Sequence, residues 1–191
     1  MADPFDIFNL WFKEACLLEA SYPEAMCLST VSKEGQPHSR QVLLKDYSEK
    51  GFVFFTNIQS QKGIDITHNA RVSLNFYWKS LQKQVRIEGE AHAVKDQMAD
   101  DYFATRPTES KLGAWASKQS SVLKKRKDLE DAIKMYADEF YHEGIPRPPH
   151  WSGYCVVPHR FEFWVEKPFR MHERVAFRKE EGRWLSFELY P

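Results

Sequence analysis

Hydrophobic residues recur at helical spacing at the start of the chain and again in its second half. The first pattern predicts an amphipathic helix over about residues 4–20, whose apolar stripe is Phe8, Trp11, Phe12, Ala15 and Leu18. Asp3 and Pro4 are typical of the cap and first turn of such a helix. The second pattern predicts a surface helix over about residues 121–141, whose apolar stripe is Leu129, Ile133, Tyr136 and Phe140.

Between these helices the pattern changes to short runs rich in β-branched and aromatic residues. The first three runs, at residues 25–32, 38–45 and 51–57, are separated by the turn-like segments KEGQ and DYSEKG and predict an antiparallel meander. Two more runs, at 71–78 and 84–91, follow a polar segment at 60–69 that is compatible with a helix. Five consecutive strands with short connections predict a barrel or a strongly curved sheet.

The second half adds helices and then returns to strands. Helices are expected at residues 95–105 and 109–116, separated by Arg106-Pro107 because proline disfavours continuation of a helix. Further strands are expected at residues 153–157, 160–165, 174–178 and 184–189. The predicted fold class is α+β, mainly β, with a barrel and peripheral helices.

Composition predicts one domain and no general attraction to a charged partner. The 191 residues, 42% of them hydrophobic, are enough for one sizeable core, so a single domain over 1–191 is expected. The 27 Lys and Arg balance the 27 Asp and Glu, so neither nucleic acid nor a membrane is expected as a partner. Without a membrane-length apolar run or a signal-peptide pattern, a soluble, cytoplasmic protein is predicted.

Cysteine and histidine spacing argues against a bound metal. Cys16, Cys27 and Cys155 are isolated, and the histidines form neither an H-x-x-x-H nor an H-E-x-x-H pair. The glycine-rich loops that commonly hold phosphate are also missing from the sequence. Any bound phosphate would therefore depend on side chains.

The second predicted strand carries a cation near each end. Alternation along the strand sends Arg40 to one face and Lys45 to the other. The simplest interpretation is two solvated charges. One ligand could use both cations only at a strand edge, at a bulge or beside a second subunit.

Three further segments carry groups suited to anions. Tyr102 and Arg106 are four residues apart on a predicted helix, and Ser110 lies just beyond it. The three residues could bind a phosphate, or Tyr102 could be a surface residue and Arg106 could interact with the dipole at the end of the helix. The segment Gln119-Ser120-Ser121 precedes the long predicted helix, where it could bind an anion or simply cap the helix through Ser121. The segment RMHER, at residues 170–174, groups two arginines and a histidine.

The order of these segments resembles the pyridoxamine 5′-phosphate oxidase family. That order is RQVLLK, FFTN, QK at 61–62, Gln84, YFATRPTES, LGAWASKQSS, FEFW and RMHER, and it runs from the first helix to the C-terminus. The most specific part is R-P followed by G-A-W-x-S-x-Q-S-S. The resemblance implies an FMN-binding split β-barrel, antiparallel and Greek-key-like, that works as a homodimer with FMN between the subunits.

The resemblance also implies a set of site residues. FMN would contact Arg40, Gln41, Val42, Leu43, Leu44, Lys45, Phe55, Thr56, Gln61, Lys62, Gln84, Gln119, Ser120, Trp164 and Arg174. Of these, Arg40, Lys62 and Ser120 would hold its phosphate. The substrate phosphate would be held by Lys45, Tyr102, Arg106 and Ser110, and the substrate ring would lie near Arg170, Met171 and His172. Arg170 and His172 would be the catalytic residues, orienting the ring and stabilising charge.

The implied reaction is oxidation of pyridoxamine or pyridoxine 5′-phosphate at C4′ to pyridoxal 5′-phosphate, with O2 reduced to H2O2. This chain departs from the family at Gln61, where an arginine is common, and at Glu188, which replaces the C-terminal arginine expected near the final Leu-x-Pro. The alternatives are a split-barrel flavin reductase and a non-catalytic module that binds FMN or pyridoxal phosphate. Joint presence of the Arg106 and His172 segments favours the oxidase.

Overall fold

A curled antiparallel sheet surrounded by helices forms the protein, for which a computed structural model describes residues 3–142 and 144–191. The helices of this described part are α1 (Pro4–Leu18), α2 (Gln61–His68), α3 (Asp96–Ala104), α4 (Thr108–Ala116) and α5 (Arg126–Glu139). Its strands are β1 (Ala25–Val31), β2 (Pro37–Leu43), β3 (Asp46–Ser48), β4 (Gly51–Asn57), β5 (Arg71–Trp78), β6 (Lys83–Ala93), β7 (Trp151–Val165), β8 (Glu173–Glu180) and β9 (Arg183–Glu188). The predicted fold class, α+β and mainly β, is confirmed.

The strand order leaves β2 at one end of the sheet. The main path is β2-β1-β5-β6-β7-β4-β3, with β8 pairing with β7 and β9 pairing with β8. Just past β2, the Lys45 backbone N–H donates to the Val53 carbonyl of β4 at 2.8 Å. The two ends of the path therefore approach each other, which curls the sheet into a half-barrel.

Helix α1 fills one opening of this half-barrel with aromatic side chains. Asp3 caps the helix by accepting a hydrogen bond from the Phe5 N–H at 2.8 Å. Phe8 is fully buried, and its ring lies 4.9 Å from Phe52 and 5.3 Å from Phe76. Leu18, predicted to share the apolar stripe, is instead exposed, because it is the last residue of the helix.

The predicted meander of the first three runs is wrong. Strand β2 pairs with β1, but β4 pairs with β7 and β3, so the second and third runs are not neighbours in the sheet. Six of the seven residues of β4 are buried, which requires partners on both sides and cover on both faces. Residues 46–48, predicted as part of a turn, form the short strand β3.

Two predicted strands near the C-terminus are one strand with a bulge. Glu88 pairs with Arg160 and Gly89 pairs with Pro158, so His159 has no partner on β6. Pro158, in the gap between the two predicted strands, lacks an N–H to donate, and the bulge accommodates it. A Cβ on Gly89 would overlap the Val157 carbonyl oxygen, so the close approach of the two strands here requires glycine.

The long helix begins later than its sequence pattern predicts. Helix α5 starts at Arg126, and its N-cap is Lys125. Of the two interpretations of residues 119–121, capping by Ser121 is therefore wrong, because residues 121–125 are not helical. The apolar stripe is confirmed, since Tyr136 and Phe140 pack against Trp115 of α4 at 5.4 and 5.1 Å between ring centres.

Among the described residues, no helix combines the length and hydropathy needed to cross a membrane.

Candidate active site

A cleft of about 870 Å³ opens along the free edge of β2. Its other walls are the end of β4, the start of α2, the α3–α4 connection and the loop before α5. Fourteen of the residues predicted from the sequence line it: Arg40, Gln41, Val42, Leu43, Lys45, Phe55, Thr56, Gln61, Lys62, Tyr102, Arg106, Ser110, Gln119 and Ser120. The structure ends β2 at Leu43, earlier than the predicted strand, so Arg40 lies in β2 and Lys45 in the connection that follows it, and the two cations reach one cavity from these two segments. Leu44 lies beneath the cleft in the core and is 5% exposed.

One end of the cleft is built around the buried Lys62. Helix α2 packs so closely that a Cβ on Gly63 would overlap the Ile58 carbonyl oxygen, and this packing holds Lys62 at the cleft. Its ammonium donates to Ser60 Oγ at 3.0 Å and to Gln119 Oε1 at 2.9 Å. Burial, and then the positive charge of Arg40, lower the pKa of Lys62 from 10.5 to about 8. An anion bound here would stabilise the charged lysine.

Arg40 adds a fixed guanidinium to the same end. Its Nη1 donates to Thr30 Oγ1 at 2.7 Å, to the Leu28 carbonyl at 3.2 Å and to the His38 carbonyl at 3.3 Å. Within the described residues these bonds all come from Nη1, so the Nε–H is left for a ligand. Ser120 faces the same cleft in a left-handed conformation, with φ of 72°. Non-glycine residues rarely adopt this conformation, and such strain concentrates at functional sites.

The other end of the cleft is built around Arg106. Its guanidinium lies 4.8 Å from the Trp151 ring centre and 5.4 Å from that of Phe103. Burial lowers the pKa of Arg106, and its Nη1 is buried without a hydrogen-bond partner among the described residues. A buried donor without a partner costs about 1–3 kcal/mol, and more when it is charged. The arrangement fits an anionic ligand that supplies the missing acceptor.

A stack of aromatic rings lines the cleft beside Arg106. The Phe55 ring lies 4.2 Å from Tyr102 and 5.3 Å from Trp151, with interplanar angles of 10° and 2°. Trp151 was missed at the sequence level, because only the pairing of β7 with the end of β4 brings it to the cleft. The other lining residues that were missed are Asn57, Thr105, Pro107, Gly113, Ala114 and Ser117.

The remaining predicted residues lie outside this cleft, on β6, β7 and β8 and the loop before β8. Gln84, Trp164 and Arg174 are neighbours in register across the three strands. Arg174 donates to Glu162 Oε1 from Nε at 2.9 Å and from Nη2 at 2.7 Å, which fixes the guanidinium. The predicted set therefore forms two groups, the cleft group and this second group.

His172, in the second group, has a defined orientation. Its ring lies 4.7 Å from Trp164, and its Nδ1 accepts a hydrogen bond from the Lys167 backbone N–H at 3.2 Å. An accepting Nδ1 carries no proton, so the neutral ring carries its proton on Nε2. Arg170 and Met171 beside it are exposed, and Arg170 has a left-handed φ of 62°. These side chains are free to meet a partner or a ligand.

The described residues contain no candidate metal site. Within 3–142 and 144–191, no three His, Cys, Asp or Glu side chains are grouped so that they could hold a metal ion. The chemistry available to the cleft is cationic and aromatic.

Two family models match the chain in succession. The model described as pyridoxamine 5′-phosphate oxidase matches residues 12–138. The model described as the pyridoxine 5′-phosphate oxidase C-terminal dimerisation region matches residues 151–191. The first match contains every residue that lines the cleft except Trp151, and the second contains Trp164 and the RMHER segment.

Relatives and solved structures agree with these matches. The pyridoxine/pyridoxamine 5′-phosphate oxidase of Bartonella henselae is 48% identical over 194 residues, covering 100% of this chain and 94% of the relative. PhzG from Burkholderia lata, solved with tetrahydrophenazine-1-carboxylic acid, has a TM-score of 0.93 at 26% identity and covers 100% and 94% of the two chains. An FMN-binding protein from Nostoc punctiforme, related to pyridoxamine 5′-phosphate oxidase, shares the fold with a TM-score of 0.78 at 14% identity over the full length of both chains.

Proposed function

Because the chain belongs to the pyridoxamine 5′-phosphate oxidase family, we propose that it oxidises pyridoxine and pyridoxamine 5′-phosphates to pyridoxal 5′-phosphate, with FMN as cofactor. The electron acceptor would be O2, giving H2O2, and for the amine a water molecule would hydrolyse the oxidised C4′–N bond and release ammonia. The observation that carries this proposal is the buried Nη1 of Arg106, which has no hydrogen-bond partner among the described residues, in a cleft that holds a second cationic centre at Lys62. Two separate cationic centres suit two phosphorylated ligands.

The cleft residues fit FMN at the Lys62 end. Lys62 and Arg40 provide charge for a phosphate, and the left-handed Ser120 adds a hydroxyl. Bound FMN would supply the redox chemistry, accepting two electrons from the substrate and passing them to O2. The protein contributes position, charge and exclusion of water.

The Arg106 end fits the substrate phosphate. Arg106, Tyr102 and Ser110 line the same part of the cleft, and Ser110 lies in the first turn of α4, where free backbone N–H groups favour an anion. Lys45, two residues past the end of β2, adds a further charge. A ring attached to that phosphate would lie near the aromatic stack of Phe55 and Tyr102.

We propose that a second copy of the chain completes the site. Arg170, His172 and Arg174 lie outside the cleft of their own chain, in the segment that matches the dimerisation-region model. In a homodimer, this segment would bring the Nε2–H of His172 and the charge of Arg170 over the partner's cleft. There they would orient the substrate ring and stabilise negative charge on it.

A direct assay tests the proposed function. The purified protein, reconstituted with FMN and mixed with pyridoxine 5′-phosphate in air, should form pyridoxal 5′-phosphate and H2O2 in equal amounts. Bound FMN with no product would support a non-catalytic flavin-binding module. Flavin reduction by a nicotinamide cofactor, without oxidation of the B6 phosphate, would support a flavin reductase.

The lowered pKa of Lys62 predicts that FMN affinity depends on pH. In the free protein, Lys62 loses its proton above about pH 8, whereas a bound phosphate would keep it protonated. Binding must then take up a proton above this pH, so affinity should be highest below pH 8 and fall by up to about tenfold per pH unit above it. Titration of the free protein with FMN, between about pH 7 and pH 9.5, measures the slope.

Substitution of the lysine provides the control for this slope. The Lys62→Met variant should bind FMN more weakly at pH 7 and show a nearly flat profile over the same range, because no other group is required to change its protonation. A Lys62→Met profile as steep as that of the wild-type protein would show that a different group titrates on binding.

A further inference from the structure

Behind the Lys62 end of the cleft lies a buried carboxylate, Asp65, that none of the roles above uses. Asp65 is in α2, one turn after Gln61, and its side chain is 1% exposed. Its Oδ2 accepts from Thr30 Oγ1 at 2.6 Å and lies 2.9 Å from His38 Nδ1, while its Oδ1 accepts from Gln61 Nε2 at 2.9 Å. One carboxylate thus connects β1, β2 and α2.

Asp65 reaches Arg40 through Thr30. The Thr30 hydroxyl donates its proton to Asp65 and therefore has only its oxygen lone pairs left for Arg40, whose Nη1 donates to it at 2.7 Å. Asp65 Oδ2 also lies 3.8 Å from Arg40 Nη2, within ion-pair distance. Two contacts, one direct and one through a hydroxyl, therefore fix the guanidinium from behind.

We infer that Asp65 is a positioning residue for the FMN phosphate: acting through Thr30, it holds the Arg40 guanidinium in the orientation that receives that phosphate. The inference rests on the proposed function and deepens it. It also assigns a role to Gln61, because the amide at this position hydrogen-bonds to Asp65. The anchored carboxylate and the amide together secure the α2 turn that carries Lys62.

Charge balance supports this arrangement. Arg40 and Lys62 repel each other, and the repulsion contributes to the lowered pKa of Lys62. Burial lowers the pKa of Arg40, while the charge of Asp65 raises it. Burial acts to raise the pKa of Asp65, but hydrogen bonds from Thr30, Gln61 and His38 outweigh it, so that pKa is below its usual value. An ionised Asp65 therefore allows two cations to stand close together before any ligand arrives.

Positioning and simple electrostatics predict opposite effects for Asp65→Asn. If Asp65 acted only as a nearby negative charge, its neutralisation would strengthen binding of a phosphate. If it positions Arg40, its loss should weaken FMN binding about tenfold, as expected for one charge-assisted hydrogen bond that is no longer well aligned. The Thr30→Val variant, which keeps the shape of the side chain and the Asp65 charge but removes the hydroxyl, should weaken FMN binding by a similar factor.

Riboflavin separates positioning from a general role in folding. It carries the flavin ring without the phosphate, so its affinity should change less than about twofold in both variants if only phosphate binding is impaired. Flavin fluorescence measures the dissociation constants of FMN and riboflavin for the free protein. The loss of FMN affinity in each variant is then compared with its loss of riboflavin affinity. The thermal unfolding midpoint of each variant reports whether it is folded. If Asp65→Asn does not fold, Thr30→Val provides the test. Asp131→Asn, on the exposed face of α5, is the matched control and should leave both affinities unchanged.

A double-mutant cycle with Arg40 completes the test. If Asp65 acts through Arg40, then Asp65→Asn should cause little further loss of FMN affinity in a chain that already carries Arg40→Met. Equal losses for FMN and riboflavin, a gain in FMN affinity, or full additivity with Arg40→Met would each overturn the assignment. Failure of the wild-type protein to bind FMN would instead overturn the proposed function, and the inference that rests on it.

Discussion

Replacing Arg106 with methionine is expected to raise the KM for pyridoxine 5′-phosphate about ten- to hundredfold, because one or two charge-assisted hydrogen bonds to the phosphate are lost. The buried Nη1 of Arg106 has no partner in the described chain, so a ligand phosphate would gain the whole interaction. The phosphate takes no part in the oxidation at C4′, so kcat should change much less than KM. Steady-state kinetics over a wide substrate range measure both constants.

The same substitution should not weaken the fold. Burial lowers the pKa of Arg106, which means that the free protein holds this cation at a cost, and methionine preserves much of the contact with Trp151. The thermal unfolding midpoint of the variant without substrate should equal or exceed that of the wild-type protein. A KM that does not change would refute the assignment of Arg106 to the phosphate. Arg126→Met, at an arginine that is 79% exposed on α5, is the control and should leave both kinetic constants unchanged.

At low substrate concentration, mixed dimers of two variants that are each nearly inactive under these conditions are expected to recover about half the activity of the wild-type dimer, because one of their two sites is intact. The variants are Arg106→Met, which damages the cleft group, and the double substitution Arg170→Met with His172→Asn, which damages the second group. If each site combines the cleft of one chain with the second group of the other, a mixed dimer has one site with both defects and one with neither.

Coexpression with two different affinity tags, followed by successive purification on both, isolates the mixed dimer. Activity should be measured at a substrate concentration far below the KM of the Arg106→Met variant, so that each parent dimer is nearly inactive. A mixed dimer of Arg106→Met with Lys62→Met is the matched control. Both of its defects lie in cleft groups, so each site keeps one defect, and activity should stay low at an FMN concentration too low to load the Lys62→Met cleft. Absence of recovery in the first mixed dimer would show that each chain uses its own second group.

The elements of the fold could be predicted locally, but the pairing of its strands could not. Helices such as α1 follow from spacing and capping residues close together in sequence. The meander failed because β4 pairs with β7, about 100 residues away, and no local pattern specifies such a partner. The bulge at His159 was missed for a similar reason, since a proline in a strand predicts an end unless the neighbouring strand is known.

The residues of the candidate site were also predictable only where local motifs identify them. Motif order identified Arg40, Lys62 and Arg106, and the fold brings all three to one cleft. Trp151 was missed because its contact with Arg106 depends on the strand pairing that was predicted wrongly. The sequence also gave no sign of Asp65, since an acidic residue in a short polar helix is usually solvated, and only the packing of α2 on β1 buries it.

A single anaerobic mixing experiment tests whether this cleft carries out the proposed FMN-dependent oxidation of a phosphorylated B6 compound. The FMN-loaded protein should lose its visible flavin absorbance when pyridoxine 5′-phosphate is added without oxygen, with about one pyridoxal 5′-phosphate formed per flavin. Absorbance should return when air is admitted. Unphosphorylated pyridoxine at the same concentration should cause a far slower loss, because it cannot use Arg106. Flavin absorbance that is unchanged by pyridoxine 5′-phosphate would contradict the account.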